Sequence, residues 1–492
     1  MSNALKSNIN LEDLNSVNVL TERVKNRKQE YENSPVWVSS SRARAFTESW
    51  KETEADPFHL RRAKAFARVL DESPAIIRDG ELIVGSDTKF VRGAETMPEF
   101  NPYDILDAIE EDHFDGLSEV IIASVEEEDR NILKESASYW VGRSTHDIVH
   151  EAWRRELGKE YFDLLDDKVR VIESSIVVSP KPSTIFNPGT LMQGLSYIIN
   201  RSSDEREKTI NSVGQSSPQA SYHKIVVLDA IIITCKALIK FADRHSEAAN
   251  NMAMTESDPV RKRELEKIAQ HCKRVPANPP RTFVEALQGL WFVLIGLKKE
   301  TPCAPACLNR IDQYLYPFYM EDLREGRITQ QEAAELLGLL WIKLNEFEAF
   351  RGKKMTKWGS GSLLQQVTIS GQTKEGEDTT NEVSYLILEV SRQMKMPQPG
   401  VYVRYHNGIS QEFMEKAAET NRDTGGGIPA FLNDQSAVDR LIALGVDHND
   451  AIEWSAGGCL NYVVGHVQMH PRGLCYCNEA KILEITLNNG VD

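Results

Sequence analysis

The sequence has 492 residues, of which 41% are hydrophobic and 26% are charged. This composition can bury a large interior and excludes a disordered chain, and the length corresponds to about three domains or one large enzyme core. The 57 Lys and Arg residues against 73 Asp and Glu residues give a net charge of −16, so neither nucleic acid nor a membrane surface is expected as a partner.

The sequence also bears on the compartment in which the protein works. Residues 1–16 lack the apolar core of a signal peptide. The longest apolar run, residues 225–241, contains Asp229, Lys236 and Lys240, so it predicts a buried helix and not a membrane span. The seven cysteines are odd in number and widely spread, which is typical of reduced thiols. We therefore expect a cytoplasmic protein.

The first third of the chain predicts a polar start followed mainly by helices. Residues 1–35 are polar and are expected to be loosely attached. Apolar residues three and four apart predict a helix over residues 40–73, and residues 81–85 predict a short strand after a turn. Residues 104–170 are expected to be helical with an acidic outer face, and the proline-rich residues 179–189 to form an irregular loop.

Two long helices are predicted next, over residues 218–247 and 256–273. The second contains a cluster of basic residues at 261–263, which we interpret as its solvated face. Glu264 and Glu266 stand beside this cluster and disfavour an anion-binding site there.

The following section combines helical and strand patterns. An apolar stripe that starts at Phe283 predicts a helix, and Thr329 with Glu332 three residues later predicts the capped start of another. Residues 366–370 and 401–405 are β-branched or aromatic and are bounded by glycine or proline, which predicts strands. Helices alternating with short strands indicate an α/β protein.

Two glycine-rich stretches, residues 425–427 and 457–458, are the most unusual feature of the sequence. Consecutive glycines cost conformational entropy, so a fold keeps them where φ must be positive or where a side chain cannot fit. For residues 425–427 we favour a tight backbone passage beside a buried pocket over a phosphate-binding loop, because no lysine follows at the required spacing. Cys459 follows the second stretch. From spacing alone it is either a structural cysteine or a thiol activated by a nearby histidine or cation.

His466 and His470 have the spacing of two zinc ligands on one helical face. The residues between them include no glutamate, and Gly465 and Pro471 disfavour a helix, so no metal site is expected. The other closely spaced cysteines are interpreted as packing residues: Cys303, Cys307, Cys475 and Cys477.

Seven blocks of the sequence, taken together, resemble the glycyl radical enzyme superfamily, the pyruvate formate-lyase-like proteins. They occur in the family order and spread over most of residues 40–470. On this basis residues 36–492 are expected to form a partial pyruvate formate-lyase-like domain, preceded by the polar segment of residues 1–35. The blocks are residues 77–85, 280–288, 310–319, 340–346, 398–406, 425–434 and 457–459.

The resemblance implies an α/β fold, a ten-stranded α/β barrel of the glycyl radical enzyme type that is surrounded by helices and is incomplete at the C-terminus. It implies a central loop with a cysteine, here Cys459, whose thiyl radical takes hydrogen from a small organic substrate. Asn461, Arg472, His406 and Asn433 are then candidate substrate-binding residues, with Arg472 suited to a carboxylate. A surface position for Arg472 and packing roles for His406 and Asn433 remain open.

Three features depart from the family pattern. Dehydratases of the superfamily carry a glutamate two residues after the cysteine, whereas this chain has Asn461, an amide that exchanges no proton near neutral pH. Gly458 stands where pyruvate formate-lyase has a second cysteine. The C-terminal motif that carries the glycyl radical does not occur in residues 1–492. We therefore expect the radical on a missing C-terminal segment or on a second chain.

The predicted function is the catalytic portion of a glycyl radical enzyme, a lyase or acyltransferase that is inactive alone. The expected reaction is C–C bond cleavage or formation, similar to that of pyruvate formate-lyase, arylacetate decarboxylases or X-succinate synthases. The alternative is a truncated, non-catalytic subunit that assembles with a full-length homologue. No cofactor is expected on this chain. The expected partners are a small-molecule substrate, a radical S-adenosylmethionine activating enzyme and a second copy in a homodimer.

Overall fold

The structure, a computed structural model, combines parallel β-sheets with many helices. It describes residues 14, 16–112, 123–160, 172–174, 184–212, 217–302, 306–350, 365–457, 461–465, 475–477 and 479–490. The strands are β1 (Val36–Ser39), β2 (Arg92–Glu95), β3 (Ser124–Val125), β4 (Ile172–Ser174), β5 (Thr184–Ile185), β6 (Ala306–Arg310), β7 (Phe347–Ala349), β8 (Gln366–Ser370), β9 (Gly400–Tyr405), β10 (Ala430–Asn433), β11 (Ser455–Gly457), β12 (Asn461–Val463) and β13 (Cys475–Cys477). The helices are α1 (Glu22–Asn33), α2 (Ser41–Glu52), α3 (Phe58–Glu72), α4 (Tyr103–Glu110), α5 (Glu127–Trp140), α6 (Thr145–Leu157), α7 (Pro188–Gln193), α8 (Leu195–Asn211), α9 (Pro218–Thr255), α10 (Pro259–Arg274), α11 (Phe283–Glu300), α12 (Ile311–Arg324), α13 (Gln330–Glu346), α14 (Glu382–Met394), α15 (Gln411–Asp423), α16 (Asp434–Ala443), α17 (His448–Ala451) and α18 (Glu479–Leu487).

A parallel sheet of five strands lies at the centre of the described chain, in the order β10, β9, β8, β6, β5. Every residue of β8 is buried, as expected for a parallel strand that is covered on both faces. Val367 and Ile369 pack into the main hydrophobic core, so the residues that alternate with them face the opposite side of the sheet. The predicted strands at residues 366–370 and 401–405 are confirmed by β8 and β9.

A second parallel sheet has the strand order β3, β1, β2, β7. Val38 and Ala94 of this sheet pack with Ile105 of α4 and Leu133 of α5 in a smaller core of their own. The two sheets and the helices around them confirm the predicted α/β class. Closure into a ten-stranded barrel stays a prediction, because the described strands form these two sheets and two short antiparallel pairs.

The predicted central helices are confirmed. The hydroxyl of Thr329 accepts a hydrogen bond from the backbone N–H of Glu332 at 3.1 Å, and the Glu332 carboxylate accepts one from the N–H of Thr329 at 2.8 Å. This is the capping box expected at the start of α13. Trp291 and Trp341, on the apolar stripes of α11 and α13, are buried in the main core.

In the part of the chain that the structure describes, no helix is both long and apolar enough to span a membrane.

The expectation that the N-terminal segment is loosely attached is wrong for residues 16–34. Val19 and Val24 belong to the main hydrophobic core. The side chain of Gln393 accepts a hydrogen bond from the N–H of Val19 at 3.0 Å and donates one to the carbonyl of Val17 at 2.9 Å. The segment is polar because α1 exposes a charged face, whereas its few apolar side chains are the ones that pack. The domain boundary at residue 35 stays a prediction.

Residues 81–85 do not form the predicted strand. The N–H of Val84 donates to the side-chain oxygen of Gln288 at 2.8 Å, and the Gln288 amide donates to the carbonyl of Val84 at 3.0 Å. These two bonds satisfy the Val84 backbone without a neighbouring strand. The apolar run was misleading because its side chains pack against helices instead of within a sheet.

The basic cluster on α10 is only partly solvated. Lys262 and Arg263 are exposed as predicted, but Arg261 is buried. Its guanidinium donates to the carbonyls of Glu81 at 2.8 Å and Arg78 at 3.2 Å. The prediction that Arg261 lies on a solvated face is therefore wrong. Its side chain instead holds the backbone at Arg78 and Glu81, next to the residues that were expected to form a strand.

The region predicted to be helical over residues 104–170 is divided. It contains α4, α5 and α6, but β3 comes between the first two. The hydroxyl of Ser144 accepts from the N–H of Asp147 at 3.2 Å, which starts α6 as a separate helix. Residues 161–171 and residues 179–183 of the predicted loop lie outside the described residues. The rest of that loop, residues 184–189, is not irregular throughout as predicted, because it contains β5 and the start of α7.

We predict that His245 makes stability depend on pH. Its ring lies between the rings of Phe241 and Phe292, with centroids 4.5 and 5.4 Å away, and burial lowers the pKa of His245 to about 4. The unfolded chain, in which a histidine has a pKa of about 6.5, then binds more protons. Stability from this residue is therefore complete above pH 6.5 and falls as the pH drops towards 4. At pH 5 we expect a loss of about 2 kcal/mol.

Urea unfolding at pH 7 and pH 5 measures this loss. The variant His245→Phe keeps an aromatic ring between the two phenylalanines and removes the titratable group. The stability difference between the native chain and this variant should change by about 2 kcal/mol between the two pH values. The same pH dependence in both proteins would contradict the assignment.

Candidate active site

A short hairpin brackets the predicted thiyl cysteine. β11 runs antiparallel to β12, with Gly457 opposite Asn461. Residues 458–460, and therefore Cys459, lie outside the described residues, but they link these two paired strands. The hairpin thus fixes the positions of the residues two before and two after Cys459.

The first strand of the hairpin is bonded to the five-stranded sheet. The thiol of Cys307, on β6, donates to the carbonyl of Ala456 at 2.6 Å, and the N–H of Ala456 donates to the hydroxyl of Thr368, on β8, at 2.9 Å. Burial raises the pKa of the Cys307 thiol, so the thiol remains protonated and able to donate. Cys307 is therefore more than the packing residue that the sequence indicated.

A buried arginine anchors the chain that leads into the hairpin. The Arg404 guanidinium, on β9, donates to the carbonyls of Trp454 and Ile452, each at 2.9 Å, and to the Asp434 carboxylate at 2.6 Å. The indole N–H of Trp454 donates to the same carboxylate at 2.6 Å. Burial lowers the pKa of Arg404 to about 9, which leaves it charged at neutral pH. The Arg404–Asp434 pair therefore fixes the segment before β11.

A second arginine holds the same segment from β6. Arg310 donates to the Glu453 carboxylate at 3.0 Å and, on its other side, to the carbonyl of Ser370 at 3.2 Å and the hydroxyl of Thr379 at 2.9 Å. Residues 452–456 are thus bonded to three neighbouring strands, β6, β8 and β9. These bonds hold the residues that lead into the hairpin in one position relative to the sheet.

Sequence reasoning missed these two anchors. Arg310 and Arg404 both stand in blocks that carry the family resemblance, and Arg404 interrupts the apolar strand pattern of residues 401–405. A charged side chain within a buried strand needs a buried partner. That was the available signal, but the sequence does not show which carboxylate or carbonyl is the partner.

Two of the predicted pocket residues, His406 and Asn433, make hydrogen bonds within the described chain. Nε2 of His406 lies 3.2 Å from Oδ1 of Asp378, and its Nδ1 accepts from the N–H of Gly408 at 3.2 Å. The Asn433 side chain accepts from the N–H of Ser436 at 2.8 Å and caps α16. These contacts are those of packing and capping residues, and roles in substrate binding stay predictions.

Of the other predicted site residues, Asn461 begins β12 and is exposed in this chain. It lies opposite Gly457 and two residues from Cys459. Arg472 and the histidine pair at positions 466 and 470 lie outside the described residues.

The glycine triplet Gly425 to Gly427 lies in an exposed turn. The three φ angles are +87°, +96° and +87°, and a Cβ atom added at any of the three positions would meet no atom of the described residues within 4 Å. Positive φ, and not crowding, is the reason for these glycines. The expected tight passage beside a buried pocket is therefore wrong.

The fold and the anchored hairpin define an α/β protein with a cysteine-bearing hairpin held against a parallel sheet. The model of the Pyruvate formate lyase-like family matches residues 15–492. The chain is also 32% identical over 476 residues to the isethionate sulfite-lyase of Nitratidesulfovibrio vulgaris, which covers 95% of this chain and 56% of that protein. The chain belongs to the pyruvate formate lyase-like family, as the sequence blocks predicted.

Solved structures show the same relationship. The glycerol-bound form of the B12-independent glycerol dehydratase from Clostridium butyricum superimposes with a TM-score of 0.86 at 32% identity, over 97% of this chain and 59% of that one. A glycyl radical enzyme from Archaeoglobus fulgidus gives a TM-score of 0.83 at 32% identity, over 96% and 59%. The chain therefore spans somewhat more than half the length of the relatives that it matches.

Proposed function

We propose that this chain is the cysteine-bearing catalytic part of a glycyl radical enzyme that acts on a small organic substrate. The observation that carries the proposal is the β11–β12 hairpin, which flanks Cys459 on both sides and is bonded to the central sheet through Ala456. Membership of the pyruvate formate lyase-like family supports the same proposal. The glycine that bears the radical, the activating enzyme and a homodimeric assembly are parts of this proposal.

The proposed step is a hydrogen-atom transfer at the sulfur of Cys459. A thiyl radical takes a hydrogen atom from a substrate carbon, so that an S–H bond forms, a C–H bond breaks and the unpaired electron moves to carbon. Return of the hydrogen atom after rearrangement restores the thiyl radical, and the cycle balances without an external reductant. The anchors of the hairpin serve this step by keeping the sulfur at one distance from the substrate.

The residue two places after the cysteine bears on which type of substrate bond is broken or formed. An asparagine amide does not titrate near neutral pH, so Asn461 cannot be an acid or base in the way a glutamate can. We therefore favour a C–C bond cleavage or formation for this chain. The names of its relatives, a sulfite-lyase and a glycerol dehydratase, favour elimination as the second candidate, with the proton handled by another group.

The test is anaerobic activation of the complete gene product by a radical S-adenosylmethionine activating enzyme. Electron paramagnetic resonance should show a glycyl doublet, and deuterated candidate substrates should then lose deuterium to the enzyme. Formation of the doublet without any hydrogen exchange from a broad panel of substrates would contradict catalysis and would favour a non-catalytic subunit.

We predict that Asn461→Glu lowers turnover of the complete enzyme at least about tenfold, because it places a titratable carboxylate where the native reaction uses a neutral amide. Asn461→Gln, which keeps the amide, is the control and should retain most activity. Steady-state rates of both variants between pH 6 and pH 8 measure the effect. A rise in turnover with Asn461→Glu, accompanied by loss of water from a diol, would instead place the chain with the dehydratases.

A further inference from the structure

Gln366 is a buried polar residue that the hairpin anchors do not use. The residue is 1% exposed, and its amide nitrogen donates to the hydroxyl of Tyr402 at 3.1 Å. Among the residues that the structure describes, its amide oxygen has no hydrogen-bond partner. By contrast, Gln288 is a structural glutamine whose oxygen and nitrogen are both bonded to Val84. Buried polar atoms are normally paired, so an unpaired oxygen on an otherwise ordered side chain calls for an explanation.

The contacts of the hairpin show where Gln366 lies relative to its tip. Along β6, Glu453 is bonded to Arg310 and Ala456 to Cys307, which is three residues nearer the start of the strand. Cys307 is paired with Gln366 in the neighbouring strand. Residues 453–456 therefore run antiparallel to β6 and β8 and reach the level of Gln366 at Ala456.

The side chain of Gln366 also lies on the correct face of the sheet. Thr368, two residues later on β8, contacts the backbone of Ala456. Side chains two apart in a strand point to the same face, so Gln366 lies on the same side of the sheet as the hairpin, two residues from Thr368 in the direction in which residues 453–456 run. Tyr402 holds its amide from the adjacent strand.

From this placement we infer that the amide oxygen of Gln366 is a substrate-binding group of the radical site and accepts a hydrogen bond from the substrate. This inference rests on the proposed function. An amide oxygen accepts and does not donate, so the ligand class is a small molecule with a hydroxyl or an N–H group. A molecule with only acceptor atoms, such as an ether, cannot donate a hydrogen bond to the Gln366 oxygen.

The test measures binding of three probes to the unactivated complete protein by isothermal titration calorimetry. The probes are glycerol, ethanolamine and 1,2-dimethoxyethane, of which only the last has no donor. We expect the first two to bind and the ether not to bind. Gln366→Leu should weaken binding of both donors at least tenfold. Gln366→Glu, which has nearly the same shape and keeps an acceptor oxygen, should retain binding and favour ethanolamine.

Gln411→Leu, the same chemical change at an exposed position of α15, is the matched control and should leave binding unchanged. Thermal unfolding verifies that each variant is folded. Unchanged binding in Gln366→Leu, equal binding of the ether, or no binding of either donor to the native protein would overturn the inference. Because binding requires no radical, these outcomes are independent of the radical and turnover measurements that test the proposed function.

Discussion

Replacement of Cys459 by alanine is expected to abolish turnover of the complete enzyme and to leave formation of the glycyl radical intact. A methyl group cannot receive a hydrogen atom from the substrate and return it, whereas in the proposed function the activating enzyme acts on a glycine and not on this thiol. The hairpin should keep its position, because its anchors act through the backbone of Ala456 and Trp454 and not through the cysteine. Anaerobic activity and electron paramagnetic resonance on the same sample measure the two expectations.

The matched control is Cys235→Ala, a cysteine buried on α9 in the main core. Cys475→Ala and Cys477→Ala should also be close to neutral. Turnover above a trace in Cys459→Ala, with the controls active, would show that another group abstracts the hydrogen atom.

Asp434→Ala is expected to lower the free energy of unfolding by about 3–5 kcal/mol, because it leaves the Arg404 charge buried without its partner. Both side chains are almost fully buried, and the same carboxylate accepts the indole N–H of Trp454. Since Arg404 also holds the carbonyls that precede β11, we expect turnover to fall together with stability. Urea unfolding of the native chain and the variant measures the first effect.

Asp439→Ala provides the control on the same helix, α16. Asp439 is exposed, and its carboxylate accepts a hydrogen bond from the side chain of Gln435. We therefore expect the free energy of unfolding to change by no more than about 0.5 kcal/mol. Losses of similar size in the two variants would contradict a special role for the buried pair. Arg404→Met combined with Asp434→Leu should recover part of the loss, because it removes both charges together.

Features that depend on neighbours in sequence could be predicted. Thr329 and Glu332 are three residues apart, and their capping box is a property of one helical turn. The strands β8 and β9 follow from β-branched residues between glycine and proline boundaries. In each case the interaction that decides the structure lies within a few residues of the pattern that reveals it.

Features that depend on distant partners could not be predicted. Arg404 meets Asp434, Ile452 and Trp454, which follow 30 to 50 residues later. Cys307 meets Ala456 across 149 residues. Nothing near Arg404 or Cys307 in sequence indicates these contacts. The site was therefore recognised through the family resemblance around Cys459, whereas the groups that hold it became visible only in three dimensions.

The contacts of α1 and the residues before it have a consequence for biosynthesis. The N–H of Val19 is bonded to a side chain 374 residues later, that of Gln393, and Gln331 exchanges hydrogen bonds with the backbone of Asn18. At translation rates of about 5–20 residues per second, roughly 20–75 s separate the synthesis of Val19 from that of Gln393. For that interval the nascent segment carries apolar side chains whose binding surface does not yet exist. We expect the exposed charged side chains of α1 to oppose association of this segment with other chains until α13 and α14 have been synthesised.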